Sequence, residues 1–145
     1  MDMNGEYEES RKVWERCFVG QMKMLGEDHY DTLGTLNNLG AGYQSLGKNE
    51  KALEYYERSV KGSERLLGKN HPETLLTTMN IANIHADQMD FGKAEPLYER
   101  ALEGFEAQLG KDHDDTMRSA KEFETFCEDS GNEEKLADLR KRYAL

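Results

Sequence analysis

Proline is nearly missing from this chain. Two prolines in 145 residues leave long stretches free to run as helix, and Leu, Ala, Glu and Lys are plentiful. Cysteine is as scarce. Cys17 and Cys127 fit neither a C-x-x-C pair nor zinc-ligand spacing, so a soluble, reducing, cytoplasmic setting is the simplest expectation. Basic residues are outnumbered 19 to 29, and a net charge of −10 argues against nucleic acid and anionic membrane as partners, because phosphate binding needs a dense cationic surface. No apolar run approaches the roughly 20 residues of a membrane span, and no charged-then-apolar leader opens the sequence. Nor is there a glycine-rich phosphate loop, a nucleophile with a base at motif spacing, or an EF-hand pattern around acidic clusters such as Glu133-Glu134. The expectation is a protein that is not an enzyme and needs no cofactor.

What the chain does have is a period. His29, His71 and His113 lie 42 residues apart, within LGEDHYDTLGTLNNL, LGKNHPETLLTTMNI and LGKDHDDTMRSAKEF. Leu25, Leu67 and Leu109 keep the same register, as do Gly26, Gly68 and Gly110, and Thr32, Thr74 and Thr116. A fixed period between 20 and 50 residues marks an array of similar units, and such arrays commonly bind other proteins along an extended face.

Each unit reads as two helices. Leu33, Leu36, Leu39, Gly40, Tyr43 and Leu46 recur at three- and four-residue steps, Gly47-Lys48-Asn49 breaks the pattern, and a second face runs through Ala52, Tyr55, Tyr56, Val60 and Leu67 to Gly68. The next unit repeats this with Leu75, Ile81, Ala82 and His85, a break near Asp90, then Ala94, Leu97, Tyr98, Ala101, Leu102 and Leu109. Pro72 suits a first helical turn, with Asn70 or His71 as the cap. Residues 5–26 match only the second-helix half of a unit, Trp14 aligning with Tyr56. Towards the end the pattern decays into a polar-surfaced cap, with Leu136, Leu139 and Tyr143 keeping an apolar stripe. The expected domain is therefore 1–145, divided into a half repeat 5–26, repeats 27–68 and 69–110, and a degenerate capping repeat 111–145.

Leu36-x2-Leu39-Gly40-x2-Tyr43 followed by Ala52-x3-Tyr56 resembles the tetratricopeptide pattern, and Ile81-Ala82-x2-His85 with Ala94-x3-Tyr98 is a looser version. The usual repeat of that family is about 34 residues. A 42-residue unit opened by LGxxHPxTL, with AEPLYERAL in its second helix, resembles the kinesin light chain and nephrocystin type. That resemblance implies an all-α, right-handed solenoid of antiparallel helix pairs, about seven helices in all. It also implies an adaptor or scaffold that binds a short peptide in a concave groove lined by first helices. The groove residues so implied are Asn37, Asn38, Leu76, Met79, Asn80, Asn83, Arg118 and Lys121. The asparagines would hold peptide backbone, Leu76 and Met79 an apolar side chain, and the two cations an acidic one. A structural subunit held through its N-terminal edge or convex face is the alternative, with self-association through the half repeat as one form of it.

Two recurring residue types have bland explanations. Histidines on successive units are too far apart to converge on one metal ion, whose ligands must lie within about 2.0–2.3 Å of it, and they read as helix caps. Gly20, Gly62 and Gly104 fall inside second helices, where glycine costs about 1 kcal/mol against alanine, and they read as points of close helix packing.

Overall fold

The computed structural model describes residues 3–145; Met1 and Asp2, part of the expected domain, lie outside the described residues. Seven α-helices make up the described chain: α1 (Met3–Met24), α2 (Tyr30–Ser45), α3 (Asn49–Leu67), α4 (Pro72–Asp87), α5 (Phe91–Leu109), α6 (Asp114–Ser130) and α7 (Glu133–Tyr143). No strand occurs among the described residues. Internal contacts divide the chain into two compact units, Met1–Lys69 and Asn70–Leu145.

The histidines start the first helices. His29, His71 and His113 each hold extended backbone angles, and each offers ring Nδ1 to the backbone N–H two residues on, at 3.1 Å (Asp31), 3.2 Å (Glu73) and 3.1 Å (Asp115). A side-chain acceptor there satisfies one of the donors that a helix start leaves unpaired. His71, not Asn70, is thus the cap before Pro72.

In the first unit α2 and α3 form a hairpin whose two helices lock side by side. Gly40 lies flat on the Tyr56 ring, where an added Cβ would come within 2.6 Å, and Leu33 fills the space over Gly62, where a Cβ would come within 2.2 Å. Ser59 donates to the Leu33 carbonyl at 3.2 Å. At the entrance to α2, Arg58 pairs with Glu27 at 3.0 Å, and Arg65 forks onto Asp28 at 2.7 and 3.0 Å. Helix α1 packs on the other side of α2: the Tyr43 hydroxyl donates to Glu15 and accepts from Arg11, Tyr43 stacks on Tyr55, and Phe18 meets Tyr55 edge-on.

The second unit repeats the hairpin in α4 and α5. Leu75 sits over Gly104, where a Cβ would lie 2.8 Å away, and packs with Met79, Ala101 and Phe105. A larger core joins Ala82, Ala94, Tyr98 and Leu102 to Ala120, Phe123, Phe126 and Cys127 of α6 and to Leu139 and Tyr143 of α7. Each such large apolar side chain contributes about 1.5–3 kcal/mol on burial. The turn between α4 and α5 has no glycine. Met89, at the register position of Gly47, takes the left-handed φ of 60° itself. Helix α7 closes the unit with polar contacts: Tyr143 and Arg142 both donate to Glu106, at 2.5 and 2.8 Å, and Arg140 bridges Glu124 and Glu128.

Candidate binding surface on α4 and α6

The expected groove residues divide between the units. Asn37 and Asn38 belong to α2. Asn37 is half-buried and already engaged by neighbouring groups, whereas Asn38 is exposed. The other six lie on α4 and α6.

Helices α4 and α6 meet through Asn83, whose amide nitrogen donates to Glu122 at 3.4 Å. The Asn83 oxygen accepts the Tyr98 hydroxyl hydrogen. Both ends of this amide serve the fold, so its assignment to peptide backbone is corrected. In the first unit Gln44 does the equivalent work, accepting from Tyr56 at 2.9 Å. Burial raises the pKa of both phenols, Tyr56 to about 12 and Tyr98 further, with the Glu122 charge adding to the second.

Met79 needs a correction too. It is only 2 % exposed and packs with Leu75, Ala101 and Phe105. Four residues after Leu75 and three before Ala82, it belongs to the buried stripe of α4. Leu76 leans on the same cluster and remains half-buried, and Asn80 is half-buried one turn on. Two cations complete the surface. Arg118 and Lys121, three apart on α6, are both exposed, and their side chains make no ion pair or hydrogen bond among the described residues. Their neighbours behave otherwise, Lys93 pairing with Asp90, Lys135 with Glu99, and Arg140 and Arg142 with carboxylates. The surface is thus a half-buried Leu76 and Asn80 beside two cations without partners among the described residues, with Glu122 between α6 and α4.

Sequence reasoning missed the amides that hold the tyrosines. Gln44 and Asn83 do the same job from positions one helical turn apart in the repeat register, so aligning the units does not pair them. No group of three or more His, Cys, Asp or Glu side chains able to hold a metal ion occurs among the described residues. No helix among them is long and apolar enough to cross a membrane.

Residues 32–73 and 74–135 each match a family model described as tetratricopeptide repeat. The chain belongs to the tetratricopeptide repeat family. As a tetratricopeptide repeat protein it is a protein-interaction repeat module, and its all-helical fold is the one expected from the sequence. No curated protein matches it. Among solved structures it is similar to a candidate kinesin light chain of Podosopora anserina with nearly identical TPR-like repeats, at 22 % identity and a TM-score of 0.86 over 97 % of this chain. A single-residue variant of that protein gives 21 % and 0.86 over the same share. BtubC (BKLC) from P. vanneervenii gives 20 % and 0.87, again over 97 %. The chain spans 66 % of the length of each Podosopora structure and 56 % of BtubC.

Proposed function

We propose that this tetratricopeptide repeat protein is a non-catalytic, cytoplasmic adaptor or scaffold. It recognises a short peptide of a partner protein, apolar and acidic in character, along α4 and α6. The observation that carries the reading is the pair of exposed cations without partners among the described residues, Arg118 and Lys121, on a chain of net charge −10. Charges left unpaired on one helix face attract an acidic group with little desolvation cost. Leu76 supplies an apolar contact, and Asn80 offers both a donor and an acceptor to an extended backbone. Met79 contributes from beneath by fixing the position of Leu76. Nucleic acid remains an unfavoured partner on charge grounds.

The test is selection of a displayed random-peptide library on the immobilised chain, followed by affinity measurement on the enriched peptides. Enriched sequences should pair an apolar residue with Asp or Glu. Asn80→Ala should weaken them by about 0.5–1.5 kcal/mol, the net worth of one hydrogen bond. Arg118→Glu should weaken them further, and more at low salt. Glu103→Lys, on an exposed site of α5, is the control. Peptides without acidic residues, or binding indifferent to Arg118→Glu, would remove the support for this surface.

A further inference from the structure

Two carboxylates lie within reach of Arg118 and Lys121 on α6, and each is held aside by a residue of another helix. Glu122 stands four residues after Arg118, so the two share a helix face. Arg11 and Glu15 have the same order and spacing on α1, and there the pair closes at 3.1 Å. Arg118 makes no such pair among the described residues. Glu122 instead accepts from the Asn83 amide of α4 at 3.4 Å. Glu124 stands three residues after Lys121, the separation at which Asp90 and Lys93 pair at 3.6 Å. It too is taken, by Arg140 of α7 at 3.0 Å. The other acidic residues one turn from Arg118 are Asp114 and Asp115. They sit in the first turn of α6, where the positive end of the helix dipole favours them.

The Asn83 contact is directional. A carboxylate only accepts, so the amide nitrogen faces Glu122 and the amide oxygen takes the Tyr98 hydroxyl hydrogen. Holding a tyrosine does not by itself call for this position. In the first unit Gln44 does so from one helical turn further along, and its register counterpart on α4 is Ala86. An amide at Asn83 instead adds a second link, to Glu122, and draws that carboxylate away from Arg118. Arg140 shows the same economy. Its contact with Glu128 at 2.5 Å would fasten α7 by itself, and its second contact keeps the Glu124 charge off Lys121.

We infer that Asn83 and Arg140 are positioning residues for the surface on α4 and α6: each holds back a carboxylate that would otherwise neutralise Arg118 or Lys121. Both cations therefore stay open to an anionic group of a ligand that neither positioning residue touches. The helices on either side of α6 thus set how strongly the surface attracts an acidic peptide. The role in binding rests on the proposed reading of this surface, whereas the side-chain pairing exists with no ligand present.

Pairing can be read first in the ligand-free chain, by NMR of the Arg118 guanidinium and the Lys121 ammonium group. Asn83→Ala should slow hydrogen exchange at the Arg118 Nε–H, and adding Glu122→Gln should abolish the change. Arg140→Ala, at an exposed site, should act likewise on Lys121 and be reversed by Glu124→Gln. It leaves the Tyr98 contact in place, so it decides the matter even where Asn83→Ala fails to fold. Affinity for an acidic peptide enriched from the library is then measured against salt. Each alanine variant should bind roughly two- to fivefold more weakly at low salt and depend less on salt, because one cation has been neutralised. Each loss should disappear when the matching glutamine is present. A merely structural role would weaken binding equally with and without the glutamine. Unchanged Arg118 and Lys121 resonances in the alanine variants, or losses that the glutamines do not rescue, would overturn the inference. Slowed exchange with rescue, beside peptides indifferent to Arg118→Glu, would uphold the positioning role and remove the peptide reading instead.

Discussion

Tyr98 reaches from α5 to give its hydroxyl hydrogen to the Asn83 side chain on α4, and Asn83 in turn donates to Glu122 on α6. One phenol thereby ties together three helices of the second unit while its ring packs against Phe123 and Phe126. Tyr98→Phe should keep the packing and lose about 0.5–1.5 kcal/mol, whereas Tyr98→Ala should lose about 3–5 kcal/mol. Urea denaturation of both variants and of Asn83→Ala, read as a double-mutant cycle, checks the coupling. Additive losses for Tyr98→Phe and Asn83→Ala would deny it.

The recurring glycines should respond to alanine with opposite signs. At Gly62 a methyl group meets Leu33 at 2.2 Å, so Gly62→Ala should destabilise by about 1–3 kcal/mol. At Gly20 it meets nothing, and alanine should stabilise the helix by up to about 1 kcal/mol. Thermal melts of the two variants decide it, and a shared sign would contradict the geometry.

His71→Ala removes the acceptor that caps α4 and should cost about 0.5–2 kcal/mol, while His71→Asn should recover most of that loss. Zinc should leave the melting temperature unchanged, because binding at a hundred times Kd would add about 2.7 kcal/mol of stability. A zinc-dependent rise abolished by His71→Ala is the contrary result.

Alkali should loosen the fold before it ionises the folded tyrosines. Burial holds the Tyr56 phenol at about 12, against an ordinary value of about 10, and moves Tyr98 the same way. Between those values the unfolded chain has released a proton that the folded chain keeps. The stabilisation is whole below about pH 10 and falls as pH rises towards 12. Denaturant midpoints should decline over that window, and less steeply in Tyr56→Phe.

Much of this was legible in the residues. The histidine period marks each first helix, and close packing at Gly62 and Gly104 follows from glycines recurring in one register, whereas Leu33 and Leu75 as the residues that fill those places do not. Met79 was misread because its counterpart 42 residues earlier is the polar Asn37, although its spacing from Leu75 and Ala82 already placed it in the core stripe. Gly20 carries the same letter as Gly62 and differs only in what lies opposite, which no local pattern records. The break near Asp90 was legible, but not that Met89 takes its left-handed backbone, since such a conformation at a non-glycine residue leaves no mark in composition.

Leu33 and Gly62 lie within one 42-residue unit, and so do Leu75 and Gly104. A unit copied whole would therefore carry lock and key together. Because the contact never depends on matching a change in a neighbouring unit, a repeat of this kind can be added or removed whole while each hairpin keeps its fit.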